Sequence, residues 1–456
     1  MSFPCYGAYK DTNVPALGMV PAHWDVAPLK HIVETPITDG PHETPEFIDD
    51  GIPFVSAEAV STGKINFSKA RFISPADHHR YSKKYKPRRN DIFMVKSGAT
   101  TGVVALVSTD REFNIWSPLA VVRCSRLALP HYVLQAMRSR NFQESVILNW
   151  NYGTQQNIGM SVIENLRIPL PPITEQAHIA RFLGHETARI DALIEEQQRL
   201  IGMLKEKREA VISSAVTKGL DPTVPMKDSG VEWLGKVPEH WGVKRIGLLF
   251  TESSSRAFSD AELEYPILSV SIHHGISDKE LDERELDRKV SRSEDRALYK
   301  VIHFNDLAYN MMRAWQGGFG VSKLSGLVSP AYVVCKPKTL LDSCYFELVL
   351  RTKNAVIELK KYSRGITDFR LRLYWDEFKN ICVPVPGNSE LDEILSSISE
   401  INFTYDNLII AAGNQIELLQ ERRSALISAA VTGKIDVRGW QLACAQAPTV
   451  EVEEAI

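Results

Sequence analysis

Sixteen residues of this chain are written twice. Glu206 to Asp221 reads EKREAVISSAVTKGLD and Glu421 to Asp436 reads ERRSALISAAVTGKID, an ungapped offset of 215 residues with nine identities. Unrelated stretches would share roughly one by composition. The opening VPALGMVPAHW at Val14 to Trp24 returns as VEWLGKVPEHW at Val231 to Trp241, and Pro169-Leu-Pro171 returns as Pro384-Val-Pro386. The chain is therefore two copies of one unit of roughly 200 residues, each a globular block followed by a long helix. Two similar units on rigid helices suit the reading of two sites a fixed distance apart.

The 456 residues suffice for two to four domains, and an apolar fraction of 44% with 24% charged residues is that of an ordinary soluble protein. No run approaches the roughly eighteen apolar residues of a membrane span, and the start lacks a signal-peptide layout, which reads as cytoplasmic. The cysteines Cys5, Cys124, Cys335, Cys344, Cys382 and Cys444 form no CxxC pair and do not repeat between the copies, so neither a zinc site nor a disulfide framework is indicated. A net charge of -3 does not advertise a nucleic-acid binder. Charge is nevertheless local: Arg80, Lys83, Lys84, Lys86, Arg88 and Arg89 fall in one acid-free run, interleaved with Tyr81 and Tyr85.

Short β-rich runs at 52–55, 92–95, 103–107 and 119–122 are answered in the second copy by 267–270, 306–310, 319–323 and 332–334, with a helix after each set at 131–140 and 345–352. No regular βαβ alternation appears, so the blocks read as mixed α/β with a mainly antiparallel sheet. Proline punctuation at 169–172 and 384–386 keeps the chain extended before helices over 174–216 and 389–431. Their apolar residues step by three and four: Ile179, Phe182, Ile190, Leu193, Leu200, Leu204 and Val211, then Ile394, Ile401, Tyr405, Leu408, Leu419 and Leu426. Such spacing predicts an antiparallel intramolecular coiled coil, a rod of roughly 64 Å at 1.5 Å per residue.

Catalytic equipment is missing: there is no GxxxxGK[ST] loop and no HExxH, and Gly318-Phe-Gly320 lacks the third glycine of a dinucleotide turn. It reads as a tight turn or a close backbone approach. The pairs His78-His79 and His273-His274 have no partner ligands at metal spacing. Loops at equivalent places carry polar and basic groups instead. Lys96, Ser97, Thr100 and Thr101 lie in a glycine-containing loop whose counterpart holds Arg313 and Gln316, and Tyr152, Thr154, Gln155, Gln156 and Asn157 are answered by Arg364, Thr367, Asp368, Arg370 and Arg372. Gln and Asn can bond adenine bidentately and Arg can bond guanine, so one scaffold with different side chains is what two readers of different sequences need.

The GxVPxHW opening in both units, the SGATTG loop at 97–102, the PPITEQAHIARFL run at 171–183 and the duplicated helix ending together resemble the specificity subunits of type I restriction-modification systems. The resemblance implies an α+β fold: two target-recognition domains in a pseudo-two-fold arrangement, joined by a long antiparallel two-helix coiled coil. It divides the chain into an N-terminal arm (1–20), domain one (21–172), a helical region (173–221), a linker (222–237), domain two (238–386), a second helical region (387–436) and a tail (437–456). Each domain would read half of a bipartite DNA target, the helices setting the spacer and docking two modification subunits that methylate adenine. S-adenosylmethionine would belong to those subunits, and ATP and Mg to restriction subunits in the full complex; this chain would hold no cofactor and no active site. Lys83, Lys84, Lys86, Arg88 and Arg89 would then meet phosphates. The second copy has Gly387-Asn-Ser-Glu-Leu-Asp-Glu-Ile394 where the first has Pro172-Ile-Thr-Glu-Gln-Ala-His-Ile179, which reads as loss of the Glu-Gln element and of equal contact with both modification subunits. The rivals are a stand-alone methyltransferase or nuclease, which would act without partners, and a protein-binding scaffold, which would show no salt-dependent DNA association.

Overall fold

The computed structural model describes residues 3–152, 156–272, 275–277, 296–365 and 371–441. Among these the chain forms two compact units, one of residues 1–198 and 414–456 and one of residues 199–413. The second unit spans one repeat length. It takes the end of the first long helix, the second block and the start of the second long helix, whereas the first unit takes the complementary pieces.

In the first unit an antiparallel sheet runs in the order Thr38–Asp39, Leu119–Val122, Ile92–Val95, Val104–Leu106. Its counterpart in the second unit runs Phe250–Ser253, Tyr332–Pro337, Leu307–Asn310, Phe319–Val321, the same order. Leu119–Val122 and Ile92–Val95 are buried at every position, so continuous apolar runs rather than alternating ones mark these strands. A second four-stranded sheet in each unit has diverged, but both keep one parallel pair: Ile52–Val55 with Asn114–Ile115, and Ile267–Ser271 with Gly326–Val328. The helices foreseen at 131–140 and 345–352 are Pro130–Arg138 and Ser343–Leu350, each followed at once by another, Arg140–Leu148 and Lys353–Tyr362. Ser139 and Thr352 break the pairs by N-capping the second helix, their hydroxyls accepting from Phe142 N and Ala355 N.

The proline-marked strands close each block. Arg167–Leu170 pairs with Asp25–Pro28, and Cys382–Val385 with Gly242–Arg245. The long helices follow, Ile173–Lys218 and Asn388–Val431. In the first unit Asp191 is ion-paired with Arg423 at 2.9 Å, and in the second Arg208 with Asp406 at 2.6 Å. The partner on the second helix moves back seventeen positions as that on the first moves forward seventeen, as antiparallel pairing requires. The seam differs from the sequence reading. Ile179, Phe182 and Ile190 are buried, but Leu193 and Leu200 are 40% and 37% exposed, while Ile194 and Ile201 are half-buried; likewise Leu408 is exposed and Ile409 half-buried. Apolar residues adjoin at these places, and the inward one is whichever continues the alternation of three and four from Ile190 through Leu204.

The repeated His-Trp opening meets the start of each long helix. Trp24 is fully buried and donates Nε1–H to Glu175 Oε2 at 2.9 Å; Tyr6 O–H adds a bond at 3.1 Å, and His23 Nε2 lies 2.7 Å from Oε1. In the second unit Trp241 Nε1 and His240 Nε2 both lie 2.8 Å from Glu390 Oε2. Glu390 stands one repeat after Glu175, so the Glu half of the Glu-Gln element is kept, a correction to the sequence reading. Only the Gln is replaced. Gln176 is fully buried, its amide donating to Leu127 O and Pro171 O and its oxygen accepting from Leu129 N; Leu391, also buried, packs into the second core. Gln176 is thus an internal strut rather than a surface contact.

The segment read as a linker also has a structure. Met226–Asp228 pairs with Lys236–Pro238 in the register by which Tyr9–Asp11 pairs with Met19–Pro21, making it the counterpart of the N-terminal arm. Past the second long helix the chain returns to that arm: Asp436 N donates to Pro4 O at 2.7 Å, Tyr9 O–H to Gly433 O at 2.9 Å, and the Trp440 ring packs edge-on against Phe182. Among the described residues no helix is long and apolar enough to cross a membrane.

Candidate functional site

In the first unit two of the loops singled out by sequence are joined. The 96–102 loop connects the strands Ile92–Val95 and Val104–Leu106, turning through positive-φ glycines at Gly98 and Gly102. Its backbone is bonded to the second segment, Ile158 N to Lys96 O at 2.9 Å and Gly98 N to Gln156 O at 3.0 Å, with a bridge between Ser97 and Asn157. Gln156 and Asn157 are exposed on a hairpin strand paired with Asn151–Tyr152. Thr154 and Gln155 lie outside the described residues, as does the side chain of Tyr152. Thr101 is turned inward, its hydroxyl donating to Gly98 O at 2.7 Å, whereas Thr100 is partly exposed.

The basic run is not the open cationic patch that its composition suggests. Lys84 Nζ lies 2.7 Å from Asp39 Oδ1, Lys86 Nζ 2.5 Å from Glu112, and Arg89 grips Asp110 through Nε and Nη2. The carboxylates come from distant sequence, which is why a local window shows none. Lys83 and Arg88 are exposed and lack an ion pair among the described residues. Lys96 Nζ reaches Asp39 Oδ2 at 2.7 Å, so this lysine points into the domain. Burial disfavours the Asp39 anion, yet the bonds from Lys84 and Lys96 outweigh it and hold its carboxyl below the ordinary value.

The second unit repeats the junction with other side chains. Leu373 N donates to Met311 O at 2.9 Å, one repeat after the bond from Ile158 to Lys96. Arg364 and Arg372 exchange two backbone bonds of 2.9 Å, closing a hairpin, and the Arg364 guanidinium is ion-paired with Glu377. Thr367, Asp368 and Arg370 lie outside the described residues. Arg313 Nη1 donates to Gln316 Oε1 at 2.9 Å, so those two side chains hold each other. Gly320 is the close backbone approach anticipated from Gly318-Phe-Gly320: a Cβ there would stand 2.5 Å from Ile276 N.

Sequence reasoning passed over Trp315, which lies one repeat after Thr100. It is half-exposed, with its Nε1–H donating to Met312 O at 3.0 Å and the Lys360 ammonium 5.4 Å from its ring centroid. A large aromatic between Arg313 and three glycines was the available signal. Also missed was Asp39, which nothing in its own neighbourhood distinguishes. The five described cysteines are free, and among the described residues no cluster of His, Cys, Asp and Glu could hold a metal ion.

Residues 21–201 match the family described as "Type I restriction modification DNA specificity domain". The chain is 21% identical over 449 residues to the type I restriction enzyme MjaVIII specificity subunit of Methanocaldococcus jannaschii, covering 94% of this chain and 97% of that protein. To the EcoKI specificity subunit of Escherichia coli it is 24% identical over 266 residues, 56% of this chain and 54% of the other. The chain spans about half the length of the first curated relatives it matches, namely 56%, 47% and 42%. A solved chain from work on complex assembly and conformational transition of the type I R-M system superposes with a TM-score of 0.60 at 16% identity, over 91% of this chain and 99% of that one, a likeness of fold. Over residues 21–201 the chain is thus similar to the type I restriction-modification DNA specificity domain, and along its length to type I restriction enzyme specificity subunits.

Proposed function

We propose that this chain is the non-catalytic, sequence-specific DNA-binding subunit of a type I restriction-modification complex. Each block reads one half of a bipartite target, while the paired long helices set the spacer and dock modification subunits that methylate adenine. S-adenosylmethionine is then bound by those subunits, and ATP and Mg by restriction subunits where they are present. The observation that carries this reading is the pair of junctions one repeat apart. In each unit the same backbone bond joins the loop after a central strand to a hairpin, and the side chains displayed there differ wholly: Ser97, Thr100, Gln156 and Asn157 in one, Arg313, Trp315, Gln316 and Arg372 in the other. A conserved frame with divergent polar ends is what two readers of unlike sequences require.

Lys83 and Arg88 supply phosphate contacts in the first block, and Thr154, Gln155, Thr367, Asp368 and Arg370 are the base readers. Co-expression with the modification subunit, followed by mapping of methylated adenines in the host genome, tests the reading. A split motif with a fixed gap and a methylated adenine in each half is expected. Methylation at a continuous motif, or none despite a stable complex, refutes it in favour of a protein scaffold. Arg370→Ala should then weaken binding at one half-site by about 1 to 3 kcal/mol if it reads a base.

A further inference from the structure

Asp39 is a buried carboxylate, 6% exposed, in the edge strand Thr38–Asp39. Its Oδ1 takes Lys84 Nζ at 2.7 Å, and its Oδ2 takes Lys96 Nζ at 2.7 Å and faces His42 Nε2 at 3.0 Å. Lys84 also donates to Gly40 O at 3.2 Å. Lys84 belongs to the basic run, and Lys96 opens the loop bonded to Gln156 and Ile158. One carboxylate therefore ties together all three segments of the first block that sequence pointed to. In the second block Ser254 stands one repeat after Asp39 and Met311 one repeat after Lys96, so neither the anion nor its lysine is repeated at those positions.

We infer that Asp39 is a positioning residue for target selection by the first block: by holding Lys84 and Lys96 it fixes the 96–102 loop, and through that loop the exposed Gln156 and Asn157, in the arrangement that meets bases. This inference rests on the DNA-reading function proposed above. Its physical content lies in opposed effects on specific and non-specific binding. With Asp39 in place, two lysines share an internal anion, so their charge is partly spent inside the domain. Removing the anion loosens the reading loop and at the same time frees cationic charge for phosphates. Specificity should fall while sequence-independent, salt-sensitive association rises, whereas plain damage to the fold would lower both.

The test uses the full chain assembled with its modification subunits, on a duplex carrying the split motif found by methylation mapping and on a random duplex of equal length. For Asp39→Asn the ratio of the two affinities should fall about tenfold, the loss of roughly one good base contact. The plot of log affinity against log salt on the random duplex should steepen by about one, the slope contributed by one phosphate contact. In methylated genomes one half of the motif should lose definition and the other keep it. Lys96→Gln provides an independent arm should the first variant not fold: it loosens the loop without freeing an ion, so the ratio falls and the salt slope does not steepen. An unchanged ratio in a folded variant, or a parallel drop on both duplexes, overturns the role of Asp39. A wild-type complex that does not distinguish the duplexes overturns the DNA reading itself.

Discussion

Glu175→Gln compared with Glu390→Gln isolates what the carboxylate contributes at the start of each long helix. The substitution preserves shape, removes the charge and turns one acceptor oxygen into a donor. Glu175 serves two buried donors, Trp24 Nε1–H and Tyr6 O–H, besides His23; Glu390 serves Trp241 Nε1–H and the exposed His240. A hydrogen bond to a charged partner contributes about 1.5 to 3 kcal/mol net and a neutral one about 0.5 to 1.5, so each buried donor loses about 1 kcal/mol. Glu175→Gln should therefore cost about 2 kcal/mol and Glu390→Gln about 1, since its side chain is also more open to water, at 28% against 10% exposed. A chain of two compact units need not unfold in one step, so the cost is best read locally, from amide hydrogen exchange in the hairpins Tyr9–Pro21 and Met226–Pro238. Equal costs in the two units, or a cost for Glu175→Gln below about 0.5 kcal/mol, would refute the argument from donor count.

The same carboxylate gives a pH dependence with a definite sign. Burial disfavours the Glu175 anion, but the bonds from Trp24, His23 and Tyr6 outweigh it and hold the carboxyl below its ordinary value. Its stabilisation is then present above the ordinary carboxylate range near pH 4.3 and is lost as pH falls through the lower folded value, so protection of the first hairpin should decline there in wild type and not in Glu175→Gln. Gln176→Leu, which installs the residue of the second copy, strands Pro171 O in a buried site and removes the partly buried bonds to Leu127 O and Leu129 N, and should cost about 2 kcal/mol by urea titration. Gly433→Ala should cost more than Gly219→Ala in thermal melts. Both glycines have positive φ, but a Cβ at 433 would fall 2.3 Å from the Pro21 ring, whereas one at 219 stays 3.4 Å or more from its neighbours.

What the sequence made legible was whatever repeats or depends on local chemistry. Strands 52–55 and 92–95 came out to the residue because each is a short apolar run bounded by turn formers, and the long helices came out to within two residues. The helices Arg140–Leu148 and Lys353–Tyr362 were missed because a capping Ser or Thr in mid-pattern looks like a helix end rather than a new beginning. At the candidate site the loops were found but the charges were misjudged. A run without acids reads as a free patch, yet Asp39, Asp110 and Glu112 reach Lys84, Arg89 and Lys86 from 21 to 45 residues away. The retained Glu390 was overlooked because its neighbours Asn388, Leu391 and Glu393 had changed, although its spacing from the first copy had not.

The division of the first unit between the two ends of the chain bears on the order in which the protein can fold as it is made. The 199–413 unit is one uninterrupted stretch and can close its core as soon as that stretch is available. The other must hold residues up to 198 in readiness until 414–441 arrive, because Ile427, Ala430 and Val431 lie in the same core as Trp24 and Phe182, and Tyr9 bonds to Gly433 across 424 positions. Contacts of such separation form late, since the intervening chain must first be ordered or looped out. During synthesis the exposed faces of Trp24, Ile179 and Phe182 are therefore the surface most in need of shielding, and a nascent chain that has emerged from the ribosome as far as residue 413 would carry one finished unit and one open one.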